Sequence, residues 1–300
     1  MKPIAALLIV MLLASCYREK RDNQTLQRLA QIEQRLDAQD KALAELRAQP
    51  GTTELTALAG QLADLHDQLD TLLDAVKQAK PARGQRREPD PAVTYSVPLG
   101  KSPVYGSPKA KVTLVMAMDF DCPFCRKAWD TVEQLRQKYG PDLRVAYKPY
   151  VVHPKTAKLA AEAACGAQKQ GKWREMAQLI WTQAFDQRAN NSDAFSPAHM
   201  TALAKQLKLD MNRYAQDVAG VCVQEVRDEM ATMTRLGVGA TPTFFINGRY
   251  VAGALPIDKF SPLIDEELAK ATAAEKRGVK PEQYYEQEIV GKGTAQLAQP

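Results

Sequence analysis

A nearly continuous apolar run from Val112 to Met118 constrains the fold of this chain more than any other feature. The run (Val-Thr-Leu-Val-Met-Ala-Met) has the length of a strand and does not alternate between polar and apolar residues. Such a strand is buried on both faces, so it lies inside a sheet with other elements packed on each side. The sequence therefore predicts an α/β domain.

The segments that follow show alternating strand and helix patterns. Pro123 to Tyr139 carries apolar residues at helical spacing and ends at Gly140-Pro141, a stop signal. The later predicted elements are a strand at Leu143 to Tyr147, a helical block at 155–236, a hairpin of Thr243 to Ile246 with Arg249 to Ala252, and a closing helix at Pro256 to Lys270. For the last thirty residues we expect one short helix and a frayed tail.

The N-terminus has the pattern of an export signal. One positive charge precedes ten apolar residues, Ile4 to Leu13, which are too few to span a bilayer as a helix. Leu13-Ala14-Ser15-Cys16 then resembles a bacterial lipoprotein box. We expect residues 1–15 to be a cleaved signal peptide and the lipidated Cys16 to anchor the protein in a membrane. An ordinary cleaved signal with an incidental cysteine is the alternative.

Export predicts a periplasmic location, where disulfides form. Tyr17 rather than Asp after Cys16 favours the outer membrane, and no later run of eighteen apolar residues predicts a second membrane element. The cysteines besides Cys16 are even in number: Cys122, Cys125, Cys165 and Cys222. The net charge of +5 is spread along the chain with few aromatic residues beside it, so we expect no nucleic-acid partner.

Residues 16–78 are predicted to form a coiled-coil stalk. From Leu55 to Val76 the apolar residues recur at 3-4 spacing, which is the pattern of a coiled-coil seam. A weaker pattern precedes Pro50-Gly51, so the segment either folds back as a hairpin or bends between two coils. We expect homo-oligomerisation through this stalk, with a single helix packed on the globular domain as the alternative. Residues 79–97, rich in proline and arginine, are predicted to be a linker.

Cys122 and Cys125 could bind a metal, stabilise the fold or do chemistry. A structural zinc site usually takes its four ligands from two close pairs, and the sequence has one such pair, so we expect no metal. A disulfide across so few residues closes a loop too small to stabilise much. Redox chemistry is the hypothesis that remains, and we expect no bound cofactor.

The position of the pair favours that chemistry. Cys122 follows the predicted buried strand and opens a helix with Pro123 in its first turn. Unpaired backbone N–H groups and the helix dipole favour a thiolate there, so Cys122 is the predicted nucleophile. Cys125, one turn further along, is the predicted buried thiol that attacks the mixed disulfide and releases the partner.

Two carboxylates precede the pair. Asp121 would raise the pKa of Cys122 if it faced the sulfur, so we expect it to point to solvent. Asp119 is either a buried proton acceptor or a residue that only ends the strand.

Four stretches, in this order, resemble the DsbA-like branch of the thioredoxin superfamily: DFDCPFC at 119–125, His153-Pro154, AAEAACGAQKQGKWREMA at 160–177, and GVGATPTFFING at 237–248. A C-x-x-C motif together with a Thr-Pro strand start is more specific than either alone. The resemblance implies a thioredoxin fold at residues 98–272 with a helical insertion at 155–236, preceded by the stalk. Residues 273–300 are then a C-terminal helix and tail.

The resemblance also implies roles for four residues around the cysteines. Pro242 is expected to be cis and to lie against the sulfurs, and the backbone of Thr241 to pair with a bound client chain. Pro123 and Phe124, between the two cysteines, influence the redox potential. Ala240 stands where the family often has Gly, which leaves the local loop conformation open.

Cys165 and Cys222 occupy positions where many members of the family carry a second pair. The resemblance implies a structural disulfide that joins the first and last helices of the insertion. A second redox relay is the alternative.

The implied function is thiol–disulfide exchange on exported, cysteine-containing client proteins, with a membrane partner that recycles the redox pair. In this family monomers mostly oxidise clients and stalked oligomers mostly isomerise them. The predicted stalk therefore favours an isomerase or reductase. An oxidase, which would introduce disulfides into clients, is the alternative. Two further hypotheses are a membrane-anchored envelope protein that only binds clients and a reductant for cytochrome maturation.

Overall fold

A computed structural model describes residues 88–297 of the chain. The predicted signal peptide (1–15), the lipidation site Cys16, the coiled-coil stalk (16–78) and residues 79–87 of the predicted linker lie outside the described residues. Among residues 88–297, none of the helices combines the length and apolarity that spanning a bilayer requires.

Within the described residues the strands form one five-stranded sheet in the order β1-β3-β2-β4-β5. The strands are β1 (Val104–Tyr105), β2 (Val112–Met118), β3 (Leu143–Pro149), β4 (Thr243–Ile246) and β5 (Arg249–Ala252). β2 is parallel to β3 and antiparallel to β4, and both edge strands are antiparallel to their neighbours. β2 is thus the central strand, and every residue in it is buried, as its composition predicts.

Helices cover both faces of this sheet. They are α1 (Pro123–Tyr139), α2 (Ala157–Gln168), α3 (Trp173–Leu179), α4 (Pro197–Gln206), α5 (Met211–Ala219), α6 (Val221–Arg235), α7 (Ile257–Lys276) and α8 (Pro281–Tyr284). A 3-10 turn, Gly140–Asp142, precedes β3, and π-helical turns extend α3 (Ile180–Phe185) and α8 (Tyr285–Val290). Helices α2 to α6 form the insertion between β3 and β4.

The two faces of β2 contribute to different cores. Leu114, Met116 and Met118 pack into a core that contains residues of α1, the insertion and the first half of α7. Val115 and Ala117 pack into a second core with residues of α6, the end of α7 and both ends of the described chain. Each fully buried side chain of this size contributes about 1.5–3 kcal/mol, so covering both faces stabilises the sheet strongly.

Two elements are longer than predicted from the sequence pattern, and one was not predicted. β3 continues two residues beyond Tyr147, since its parallel pairing with β2 runs on to Pro149. α7 continues to Lys276 rather than ending at Lys270, because the added residues are good helix formers and Ala271 and Ala274 pack into the second core. β1 was not predicted, because two residues are too few to show a periodicity.

The described part of the predicted linker is packed on the domain rather than extended. Tyr95 and Val97 are 3% and 0% exposed. The backbone N–H of Tyr95 donates to the carbonyl of Gly248 at the β4–β5 turn. The globular domain therefore begins before residue 98.

The C-terminal segment is likewise not frayed within the described residues. Tyr285 and Ile289 are buried in the second core, and the Tyr285 hydroxyl donates to the Val97 carbonyl at 2.8 Å. The backbone N–H of Ser96 donates to the Thr294 carbonyl at 2.9 Å, so the two chain ends pair with each other. These apolar residues are too sparse for a periodic signal, which is why the sequence alone predicts a frayed tail after one short helix.

Candidate active site

Cys122 and Cys125 lie between the end of β2 and the start of α1. Cys122 is the N-cap residue of α1, with φ −90° and ψ 118°, and Pro123 occupies the first turn. The backbone N–H of Cys122 donates to the carbonyl of Asp119 at 3.2 Å, which closes a turn over residues 119–122. Both cysteines are buried free thiols, 4% and 0% exposed.

The pKa of Cys122 is lowered to about 5 from an ordinary value of 9.0. The largest cause is the hydrogen bond that the Cys125 thiol donates to the Cys122 sulfur, and burial opposes it. The Thr241 side chain and the backbone N–H groups of Cys125 and Phe124 lower the pKa further. A helix N-terminus leaves such N–H groups unpaired, so the fold itself stabilises this thiolate.

Cys125 shows the opposite shift. Burial is the largest cause that raises its pKa, and its hydrogen bond to Cys122 adds to the rise. The backbone N–H of Asp119 donates to the Cys125 sulfur at 3.5 Å and opposes the shift. The site therefore has one thiol that ionises readily and one that keeps its proton.

Thr241 and Pro242 lie beside the first sulfur, and the peptide bond between them is cis. β4 pairs antiparallel with β2, with Ala117 opposite Thr243, so the start of β4 is next to the end of β2. As a result the Cys122 thiol donates to the Thr241 carbonyl at 3.4 Å. The Thr241 hydroxyl is buried without a hydrogen-bond partner of good geometry among the described residues, and its interaction with the sulfurs lowers both pKa values.

Pro123 and Phe124 face outward from the same turn. Phe124 is 63% exposed, the highest value among the exposed large apolar side chains of residues 88–297. These two residues therefore present an apolar surface directly beside the buried Cys122 sulfur.

The position of Asp121 differs from the expectation that it points to solvent. Its side chain is 18% exposed, and Oδ1 lies 3.4 Å from Nε of Arg188. Oδ2 accepts a hydrogen bond of 2.6 Å from the Thr156 hydroxyl. The arginine offsets the carboxylate charge next to Cys122, which sequence reasoning missed because Arg188 is distant along the chain.

Two arginines near the site have additional partners. The Arg188 guanidinium lies 3.4 Å from the centroid of the Phe185 ring. Arg126, directly after the second cysteine, pairs with Asp130 at 2.8 Å and with Asp186 at 3.2 Å. Of the two ion pairs of Arg126, the one with Asp130 could be predicted from the sequence, because the two residues are four apart on a helix.

Asp119 is more than the end of a strand. Its side chain is fully buried, and Oδ1 accepts from the backbone N–H of Asp121 at 2.7 Å and lies 3.2 Å from Nδ1 of His153. Oδ2 accepts from the backbone N–H groups of Val152 and His153 at 2.6 and 2.9 Å. This carboxylate thus joins the loop after β3 to the turn that ends at Cys122.

The second pair of cysteines forms a disulfide. Cys165 in α2 and Cys222 in α6 are joined with an S–S distance of 2.06 Å and a Cα–Cα distance of 5.7 Å. The bond links the first and last helices of the insertion. Glu225 lies beside Cys165 and is paired with Lys169 and Lys101 at 2.6 and 3.1 Å.

No cluster of three or more histidine, cysteine or acidic side chains suited to a metal ion occurs within residues 88–297.

Comparison with known proteins gives a family match over the same part of the chain. The thioredoxin family model matches residues 99–266. Of the solved structures, alpha-DsbA1 of Wolbachia pipientis is similar with a TM-score of 0.52 and 18% identity, over 59% of this chain and 96% of that one. This likeness shows a shared fold and, with the family match, confirms the prediction of a thioredoxin-like α/β domain.

Two curated relatives are sodium/proton antiporters. NhaA 3 of Salinispora tropica is 33% identical over 187 residues, 60% of this chain and 26% of the antiporter. NhaA 1 of Mycobacterium sp. (strain KMS) is 30% identical over 152 residues, 49% of this chain and 23% of the antiporter. The chain therefore matches about a quarter of the length of these relatives. The family match covers more than half of the chain, and on that ground this protein belongs to the thioredoxin family.

Proposed function

We propose that this protein is a thiol–disulfide oxidoreductase that acts on exported, cysteine-containing proteins through Cys122 and Cys125. The observation that carries the proposal is the opposite pKa shift of two adjacent sulfurs, down to about 5 for Cys122 and upward for Cys125. A thiolate attacks disulfides, whereas a thiol does not. The Cys122 sulfur therefore reacts first, as the nucleophile, and the Cys125 sulfur reacts second.

The reaction follows from this difference. The Cys122 thiolate attacks a client disulfide, its sulfur bonds to one client sulfur, and the other client sulfur leaves with the electron pair. Cys125 then loses its proton and attacks Cys122, which releases the client and leaves an enzyme disulfide. The reverse sequence transfers the enzyme disulfide to a client dithiol.

Thr241 and Pro242 form the proposed client-binding edge, with Pro123 and Phe124 as its apolar side. The Thr241 carbonyl already accepts from the Cys122 thiol, so a client chain bound along Thr241 would have its sulfur close to Cys122. The exposed Phe124 ring offers a contact surface that does not depend on client sequence.

The direction of exchange depends on how strongly the reduced form is stabilised. A pKa of about 5 for Cys122 stabilises the reduced form, in which this sulfur is a thiolate near neutral pH, and so raises the reduction potential. This favours an oxidase or isomerase over a strongly reducing partner for cytochrome maturation. The predicted stalk at residues 16–78 favours isomerisation, since an oligomer would shield the site from an oxidising membrane partner.

We place this activity in the periplasm, with Cys16 as a lipid anchor to a membrane, the outer membrane being favoured. The Cys165–Cys222 disulfide supports a compartment outside the reducing cytoplasm. A redox partner in the membrane would recycle Cys122 and Cys125 after each turnover.

Refolding of a client with scrambled disulfides tests the proposal. Wild-type protein should accelerate recovery of client activity, Cys122→Ala should abolish the acceleration, and Cys125→Ala should accumulate a client joined through Cys122. Recovery that is unchanged in Cys122→Ala would favour the alternative of an envelope protein that only binds clients. The reduction potential measured against glutathione then separates an oxidase from a reductant.

The role of the stalk needs a separate experiment. Sedimentation of lipid-free protein with and without residues 17–80 should show an oligomer and a monomer, and the monomer should lose isomerase activity. Equal isomerase activity in both forms would remove the proposed role of the stalk.

A further inference from the structure

His153 is held beside the reactive turn by the buried Asp119. The carboxylate accepts from the backbone N–H of His153 at 2.9 Å and lies 3.2 Å from the Nδ1 atom of the same residue. With the adjacent Val152 N–H and the Asp121 N–H, these contacts occupy both carboxylate oxygens. His153 is therefore held through its backbone N–H, and its Nδ1 atom lies close to the same carboxylate.

The same contacts join the His153 loop to the turn that carries the reacting sulfur. Asp119 and Cys122 are the two ends of one hydrogen-bonded turn, so their Cα atoms are within about 7 Å of each other. Thr156, which follows His153 in the loop, donates its hydroxyl to Asp121, the neighbour of Cys122. The His153 loop and the Cys122 turn are thus connected at two points.

The ring of His153 reaches the surface of the protein. The His153 side chain is 46% exposed, although its carboxylate partner is fully buried. Nδ1 lies 3.2 Å from Asp119 Oδ1, so Nε2, on the other side of the ring, is the nitrogen that does not contact this carboxylate. A carboxylate that fixes one nitrogen leaves the other free to exchange a proton.

On the basis of the proposed exchange reaction, we propose that His153 donates a proton to the client sulfur that leaves when Cys122 attacks. The Cys122–client bond forms, the client S–S bond breaks, and the departing sulfur takes the electron pair. The imidazolium ring transfers its Nε2 proton to that sulfur, which leaves as a neutral thiol, and the ring keeps the proton on Nδ1, the nitrogen close to Asp119. When the enzyme disulfide oxidises a client, the neutral ring accepts the proton of the attacking client thiol.

This role has a specific chemical signature. A leaving thiolate of low pKa departs without a proton, whereas an alkyl thiolate of high pKa departs more slowly. Loss of a proton donor should therefore slow exchange with alkyl disulfides and leave exchange with activated aromatic disulfides unchanged. A purely structural role of His153 would change both rates together.

The test compares two small disulfides reacting with reduced protein. One is 5,5′-dithiobis(2-nitrobenzoate), whose leaving thiolate is stable, and the other is oxidised glutathione, whose leaving group is an alkyl thiolate. The variant His153→Asn retains an N–H donor for Asp119 but lacks the second nitrogen, and His153→Gln provides a second variant. Lys155→Gln is the matched control, since Lys155 is an exposed cation in the same loop.

We expect both His153 variants to react with oxidised glutathione about tenfold or more slowly, within the range of general-acid catalysis, and with the aromatic disulfide at the wild-type rate. Lys155→Gln should match wild type on both. Equal slowing with both disulfides, or no slowing with glutathione, would overturn the role of His153. If wild-type protein reacts with neither disulfide, the proposed oxidoreductase function itself fails, which is a different result.

Discussion

The thiol of Cys122 lies 3.4 Å from the carbonyl oxygen of Thr241, the residue that precedes the cis Pro242. The two residues meet because β2 and β4 are adjacent antiparallel strands, so the end of one is beside the start of the other. The nucleophile and the proposed client-binding edge are thus positioned by the register of the central sheet.

Alkylation of reduced protein should reveal a single reactive thiolate. We expect the rate with iodoacetamide to follow an ionisation near pH 5 and the product to be Cys122, because its pKa is lowered to about 5. Cys125 should remain unmodified near neutral pH, since burial raises its pKa. Peptide mapping after limited alkylation identifies the residue. An ionisation near pH 9 would contradict the geometry of the site.

The same shift makes stability depend on pH. The folded pKa of Cys122 lies below the ordinary thiol value of 9.0, so its thiolate stabilises the reduced folded protein most at pH above 9. That contribution falls as the pH decreases and is lost as it passes through about 5. The free energy of unfolding of reduced wild type should therefore converge with that of Cys122→Ala between pH 9 and pH 5. In the oxidised protein this dependence should disappear.

Replacing Thr241 by Val should raise the pKa of Cys122. The Thr241 hydroxyl interacts with both sulfurs and lowers their pKa values, and Val has the same shape without the hydroxyl. Without the hydroxyl the thiolate loses a stabilising interaction, so the pKa of Cys122 should rise and the reduction potential should fall. Thr243→Val is the matched control, because its hydroxyl donates to the Ala240 carbonyl instead. An equal change in both variants would argue against a direct effect on the sulfur.

Breaking the disulfide between Cys165 and Cys222 should lower stability without altering the reactive pair. The two residues are 57 apart, and constraining a loop of that size stabilises the folded state by about 4 kcal/mol in the chain-entropy model. We expect Cys165→Ala with Cys222→Ala to lose about 2–5 kcal/mol of unfolding free energy, measured in denaturant. The reduction potential of Cys122 and Cys125 should stay unchanged. A large shift in that potential would instead support a second redox relay.

The sequence predicts the elements with strong local signals. β2, α1 and the β4–β5 hairpin have the predicted bounds, because each has an apolar pattern and a turn or stop signal within a few residues. Cys122, Cys125, Thr241 and Pro242 can be named from motifs for the same reason. That the two cysteines lie beside Thr241 and Pro242 depends on the order of the strands in the sheet, which no local pattern specifies.

What the sequence does not predict depends on contacts between distant residues. The pairing of Asp121 with Arg188 joins a turn after β2 to a loop in the insertion. The second core buries Tyr95 near one end of the described chain and Ile289 near the other. Neither residue lies in a periodic run, so only the folded chain shows why both are buried.

Removing one partner of the buried Lys148–Glu229 pair should be strongly destabilising. Lys148 in β3 is fully buried, where burial lowers its pKa, and it donates to Glu229, to the Ser102 hydroxyl at 2.9 Å and to the Leu99 carbonyl at 3.2 Å. Lys148→Met leaves the Glu229 charge largely buried without its cation, and we expect a loss of about 3–5 kcal/mol. Adding Glu229→Leu should restore much of that loss.

An exposed ion pair provides the control for that measurement. Lys172 and Glu175 are 48% and 47% exposed, so Lys172→Ala should cost no more than about 1 kcal/mol. A similar small cost for Lys148→Met would show that water reaches the pair in solution.

Truncating the Tyr285 side chain should lower the free energy of unfolding, because this residue packs the C-terminal segment against the start of the described chain. Its ring is fully buried in the second core, and its hydroxyl donates to the Val97 carbonyl at 2.8 Å. We expect Tyr285→Ala to cost about 3–5 kcal/mol through the cavity it leaves, and Tyr285→Phe about 1–3 kcal/mol through the unpaired carbonyl. Denaturant unfolding measures both, and the exposed Phe124 provides the comparison, since Phe124→Ala should leave stability within about 0.5 kcal/mol. If Tyr285→Ala were equally neutral, the C-terminal segment would be a frayed tail after all, and the second core would end at α7.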